Sequence, residues 1–193
     1  MKNEITNNII YGRNPVKEAL RANNVTKVYV NNSFFHKEIS PLLQEQHIPQ
    51  IIKSTDELNK IANGGIHQGI AAEIKPINYA NLDDILNKIN LEENPTLVIL
   101  DGINDPHNLG AIIRSCLGFN IKGIFLIENC CDLYHPEAIR SSMGYVFKMP
   151  IEKFNSFDYF LQYVKTNKIH LLAMANNDKA IDIYEYHNRK NNC

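Results

Sequence analysis

Leu97-Val98-Ile99-Leu100, then Asp101-Gly102-Ile103-Asn104-Asp105-Pro106-His107-Asn108-Leu109-Gly110-Ala111-Ile112-Ile113-Arg114, decide how this chain is read. The four apolar residues fit a buried strand. Ile112, Ile113, Cys116 and Leu117 then keep the spacing of a helix face. A polar loop therefore lies where a strand hands over to a helix, the usual ligand position in open α/β sheets. Asp105-Pro106 suits the helix opening, because Asp accepts from free backbone N–H groups and Pro fits the first helical position. Asn108 then falls in the first turn, while Gly110 and Arg114, four apart, share one face. A residue without a side chain beside Arg114 leaves room for a substrate backbone, and a guanidinium fork suits phosphate. The plainer reading, in which Asn108 caps the helix and Arg114 is solvated, stands beside this one.

The flanks extend the pattern. Ile124-Phe125-Leu126-Ile127 reads as a second strand, and His135-Pro136 leads through Ile139 and Arg140 to a Ser141-Ser142-Met143-Gly144 step. Phe154, Phe157, Phe160, Leu161 and Val164 suggest a helix whose aromatic residues pack a core rather than stack on bases. Residues 169–175, Ile-His-Leu-Leu-Ala-Met-Ala, read as a buried strand.

Upstream, strands at Lys27–Val30 and Gln50–Ile52 alternate with helices around Val16–Leu20, through Glu38, Leu42 and Leu43, and at Thr55–Asn63. Pro41 has to sit in the first turn of the second helix, Thr55 is read as the cap of the third, and Gly64-Gly65 stops it. His67-Gln68-Gly69 turns into a last strand from Ile70. Alternating elements of this kind imply a small α/β sandwich. Pro76 and Pro95 bracket an acidic connector in which Leu82, Ile85, Leu86 and Ile89 keep helical spacing. The expected organisation is a first domain at 7–77, a linker at 78–95 and a second domain at 96–193.

The 193 residues are 44% hydrophobic, enough for a core, with a formal net charge of −1. No apolar stretch reaches the ~20 residues of a membrane helix, and Met1-Lys2-Asn3-Glu4 is not a signal peptide, so a cytoplasmic protein is expected. Cys116, Cys130, Cys131 and Cys193 lack paired spacing and read as reduced thiols, with no metal site. Bulk charge gives no support to nucleic-acid binding. Residues 1–78 are only slightly basic, and Arg13, Lys17, Arg21 and Lys27 are the phosphate-binding candidates among them, against a reading as ordinary surface charge.

Asn108, Gly110 and Arg114 in their fixed spacing resemble the first signature motif of the SPOUT-type RNA ribose 2′-O-methyltransferases. The segment from His135-Pro136 to Gly144, and Tyr145–Pro150 after it, resemble that family's Pro-led helix, small-residue step and short strand ending near Pro. Tyr11-Gly12-Arg13-Asn14-Pro15-Val16-Lys17-Glu18-Ala19-Leu20 and His67-Gln68-Gly69-Ile70 are similar to the ends of its N-terminal substrate domain. The resemblance runs from Ile9 to about Tyr184. It implies an L30e-like α/β domain that binds RNA, followed by an α/β-knot methyltransferase domain. The subgroup implied methylates a guanosine of 23S ribosomal RNA.

By the same resemblance Arg114 meets the substrate phosphate and hydroxyl, and Asn108 holds the ribose and orders Arg114. Gly110, Arg13 and Lys17 are the substrate-binding candidates. S-adenosylmethionine is the implied methyl donor, and Ala175 and Asn176 would form one wall of its pocket. The family's two later motifs, a Gly-Ser-Glu-Gly-type loop and a Pro-led strand with a Ser-Leu-Asn step, do not occur before Cys193. A C-terminally truncated copy, catalytically impaired and weak in donor binding, is therefore expected. The homodimer implied for the family uses helices near the knot, so it is not expected of this chain. The alternative function is a non-catalytic fragment that still binds ribosomal RNA.

Overall fold

The structure is a computed structural model and describes residues 8–76, 78–81, 85, 95–127, 129–154, 156–166, 169–174, 178, 180–182 and 185. Its elements are β1 (Ile9–Tyr11), α1 (Arg13–Arg21), β2 (Val25–Val30), α2 (Ile39–Glu45), β3 (Gln50–Ile52), α3 (Thr55–Ile61), β4 (Ile70–Ile74), β5 (Leu97–Leu100), α4 (Pro106–Gly118), β6 (Gly123–Leu126), α5 (Pro136–Ser141), a 3₁₀ turn (Tyr145–Phe147), β7 (Ile151–Lys153) and α6 (Phe157–Thr166). The α/β class expected from the sequence holds. Of the connector helix expected around Leu82, Ile85, Leu86 and Ile89, Ile85 lies within the described residues; it is helical and buried, its N–H donating to Asn81 O at 3.0 Å, and the other three positions fall outside them.

The first sheet has the order β1-β4-β2-β3, with β4 antiparallel to both β1 and β2 and β3 parallel to β2. The ends of β1, β2 and β3 and the start of β4 therefore lie at one edge of the sheet. α1 buries Val16, Ala19 and Leu20 against it. The cap of α3 lies one residue earlier than the sequence reading placed it. Ser54, not Thr55, is the N-cap, its hydroxyl accepting from Glu57 N–H while the Glu57 carboxylate accepts from Ser54 N–H. The capping box needs a carboxylate three residues after the cap, and only Ser54 has one there. Asn63 and Gly64 then take left-handed φ of 48° and 77°, which ends the helix.

The second sheet is parallel, in the order β5-β6-β7. β6 is the middle strand and is fully buried, as its run of apolar residues requires. Two expectations are corrected here. Tyr145–Phe147 forms a 3₁₀ turn, and the strand starts only after Pro150. Gly144 at φ 83° redirects the chain, and Tyr145 N–H and Phe147 N–H bond back to Ser142 and Gly144. Residues 169–174 are not a buried strand: among the described residues they pair with no strand, and Leu172 and Met174 are 53% and 96% exposed. Apolar composition alone does not make a strand, which needs a hydrogen-bonded neighbour.

Residues 8–157 form one compact unit, and those from 158 onward a second. Within the first unit the two sheets share one core, from Ile10, Val16 and Leu20 to Leu109, Ile113 and Val146. Their junction also carries charge. Glu18 of α1 is only 3% exposed and pairs with Arg21 (2.9 Å) and with Lys148 (2.7 Å), which follows the 3₁₀ turn. Arg140 of α5 lies over the Tyr11 ring, 5.8 Å from its centre. A β-carbon on Gly144 would come within 2.9 Å of Pro15 Cα and Glu18 Cβ, so the chain passes against α1 only as glycine.

Candidate functional site

The polar loop behaves as a strand-to-helix handover. Asp105 caps α4, its carboxylate accepting from His107 N–H at 2.8 Å, and Pro106 takes the first helical position. Asn108 is therefore not the cap. It stands exposed in the first turn with its amide uncommitted among the described residues. The start of α4 is fastened by α5, where the Ser141 hydroxyl donates to Pro106 O at 3.2 Å. His107 Nε2 and Glu137 Oε2 approach to 3.5 Å across the same junction.

Gly110 and Arg114 do not share an environment, although four residues apart. Gly110 is buried against α5: an added β-carbon would fall 1.8 Å from Ser141 Oγ, 2.6 Å from Ala138 O and 2.7 Å from Ser142 N. The room expected for a substrate backbone is taken by helix packing. Arg114, one turn later, is exposed, and among the described residues it has no hydrogen bond or ion pair. Asn108 and Arg114 are separated by about 9 Å of rise and about 120° of rotation for an α-helix. The helix thus presents them on neighbouring faces, not side by side. An unpaired guanidinium and an unpaired amide are free to meet one ligand that spans both.

Backbone groups at the end of β5 are already engaged. Leu100 O accepts from Ile127 N–H at 2.8 Å and from the Cys130 thiol at 3.3 Å, and Ile103 O accepts from Cys131 N–H. Burial pushes the Cys116 and Cys131 thiols up, which keeps them protonated near neutrality. Ala175 and Asn176, expected at the donor pocket, lie outside the described residues.

The cations of the first sheet sort themselves. Lys17 and Arg21 both pair with Glu38, at 3.4 and 2.9 Å, and Lys17 holds that carboxyl below the usual carboxylate range. Lys27 pairs with Glu73 at 3.0 Å, and Glu73 also accepts from the Tyr29 hydroxyl. Among the described residues, Arg13 alone of the four candidates has no acidic partner. Its Nε donates to Gln68 O at 3.4 Å, and its own N–H goes to Gln68 Oε1 at 2.9 Å. His67 shapes this loop, with Nδ1 accepting from Gly69 N–H and Nε2 facing Asn59 Oδ1 at 3.1 Å. Sequence reasoning saw His67 only as part of a turn; its partner Asn59 lies in α3 and could not be paired from spacing.

Among the described residues no helix is long and apolar enough to cross a membrane. Residues 95–193 match the SpoU rRNA Methylase family, and residues 9–80 match the domain described as RNA 2′-O ribose methyltransferase substrate binding. A Mycolicibacterium vanbaalenii protein named "Uncharacterized tRNA/rRNA methyltransferase" is 31% identical over 181 residues, 90% of this chain and 58% of that protein. A protein of the same name from Mycobacterium marinum is 32% identical over the same shares. The chain thus spans 58% of the length of these curated relatives. In fold it is similar to the SpoU methyltransferase AviRb from Streptomyces viridochromogenes, solved with AdoMet (TM-score 0.66, 22% identity, 83% of this chain and 58% of that one). It is similar too to the AdoMet-bound rRNA methyltransferase from Sinorhizobium meliloti (TM-score 0.65, 23% identity, 81% and 57%).

Proposed function

This chain belongs to the SpoU rRNA methylase family, and on that premise we propose that it serves S-adenosylmethionine-dependent 2′-O-methylation of a ribose in ribosomal RNA, with a 23S guanosine as the target. The observation that carries the reading is Arg114, a permanent cation held on an ordered helix with no partner among the described residues. The donor supplies an electrophilic methyl group.

The rest is the work of this chain. Transfer forms a bond from the ribose oxygen to the methyl carbon, breaks the carbon–sulfur bond of the donor, and releases the hydroxyl proton. A guanidinium, with a pKa above ~12, is a poor base. Arg114 instead binds the adjacent phosphate and stabilises negative charge growing on the oxygen, while the phosphate takes the proton. Asn108, in the first turn of α4, holds the ribose by hydrogen bonds. Gly110 contributes indirectly, letting α5 close on α4 so that this turn keeps its place.

The test is transfer of radiolabelled methyl from S-adenosylmethionine into ribosomal RNA. Arg114→Ala is expected to lower the rate by about 10²- to 10³-fold, the usual scale for a lost electrostatic contact to a developing oxyanion. A second reading, an RNA-binding chain without catalysis, is favoured by the uncommitted Arg13 in the substrate-binding segment. Salt-dependent RNA binding with no methyl transfer selects that reading.

A further inference from the structure

A cavity of about 420 Å³ opens at the edge of the first sheet, where β1 and β2 end and β4 begins. Three loops meet there. The first carries Arg13, the second Asn31 to Phe35, the third Gln68 and Gly69. Asn31 N–H donates to Gly69 O, and a β-carbon on Gly69 would sit 3.2 Å from the Asn31 amide and 3.4 Å from Phe34, so the third loop fits closely against the second.

Three features of this wall are unspent. Among the described residues, Asn31 Oδ1 is buried without a hydrogen-bond partner. Proteins rarely tolerate such an atom without a ligand or water. Phe35 is 74% exposed, whereas Phe34 beside it packs on the core. The Arg13 guanidinium is aimed by its Nε contact to Gln68 O, and its two Nη groups are unpartnered among the described residues. The start of α1 adds little, since Arg13 N–H is taken by Gln68 and Pro15 has none.

We propose that this cavity holds one unpaired nucleotide of an RNA: its base stacked on Phe35 with an edge bonded to the Asn31 amide, and its phosphate on Arg13. This rests on the reading of residues 9–80 as the RNA-binding part of the chain. The volume lies within the range of ligand pockets. An aromatic face, an unpaired amide and a free guanidinium are the set by which proteins grip splayed-out bases, while a duplex keeps its base faces stacked and out of reach.

The test is titration of the whole chain with a short mixed-sequence single-stranded RNA, at several salt concentrations, and with a duplex of the same length as competitor. Phe35→Ala is expected to weaken binding about 5- to 100-fold, and Phe35→Trp to restore it. Arg13→Gln is expected to lower the slope of log affinity against log salt by roughly one contact, and Arg13→Lys to keep it. The duplex should compete poorly. If the folded chain binds RNA and neither Phe35→Ala nor Arg13→Gln matters, or the duplex competes equally, the cavity is not the site, and the RNA-binding reading stands without it. If the folded chain binds no RNA even at low salt, that reading and the cavity proposal fall together.

Discussion

Gly110 and Arg114 are one helical turn apart and are put to opposite uses. Gly110 lies where α5 crosses α4, and two of the three atoms that a β-carbon would strike belong to the α5 backbone. Gly110→Ala is therefore expected to destabilise the fold by about 1–3 kcal/mol, the cost of overpacking. Trimming Ser141 to Gly should recover only part of it, since Ala138 O and Ser142 N remain; chemical denaturation of the single and double variants measures both. Arg114→Ala removes an exposed side chain with no partner among the described residues and should change stability by less than about 0.5 kcal/mol. The position of Arg114 on a helix after a polar loop could be read from local spacing. The neighbours of Gly110 could not, because Ala138 and Ser141 lie in another helix. The same holds for Asn31 and Phe35, which carry no motif and become a site only through the packing of distant loops.

Elements with local signals were the legible ones. Val16–Leu20, Gln50–Ile52 and the Asp105-Pro106 opening each contain their own instructions and fold as read. Where two caps competed, the carboxylate three residues on decided for Ser54. Ser54→Ala is expected to cost about 1 kcal/mol, read from the unfolding midpoint, whereas Thr55→Ala should cost less. Lys53 and the Ser54 N–H hold the Glu57 carboxyl down at about 2, from an ordinary 4.5. Because the folded value is the lower one, this group stabilises above pH 4.5, and its contribution is lost as pH falls toward 2. The stability gap between wild type and Glu57→Gln should therefore be constant near neutrality and shrink through that acid window. Elements whose state depends on a neighbour were misread. The run at 169–174 looks like a strand by composition. Tyr145–Pro150 looks like a strand, but the turn begun by left-handed Gly144 coils its first three residues into a 3₁₀ helix.

At the scale of the whole molecule, the two family matches fall on either side of the expected connector, at 9–80 and 95–193, and the two sheets nevertheless pack on one core within residues 8–157. Proline and charge patterns mark a linker; they do not report whether the parts on either side dock. The docking is made by Glu18, Lys148, Tyr11, Arg140 and Gly144, whose segments stand out in sequence but whose meeting across the junction no local spacing shows. Glu18→Ala leaves Arg21, which still pairs with Glu38, and Lys148, both partly solvated, and should cost about 1–2 kcal/mol. Lys148→Met should cost at least as much, because it leaves the buried Glu18 Oε2 without its cation. A double-mutant cycle in thermal unfolding separates the two.

The most direct measurement is to map 2′-O-methylated nucleotides in ribosomal RNA after incubation with S-adenosylmethionine and either the wild-type chain or a folded Arg114→Ala variant. The account expects a single new 2′-O-methyl mark with wild type and its loss, by 10²-fold or more, with the variant. Equal methylation by the two, or no methylation by the folded wild-type chain, would contradict it.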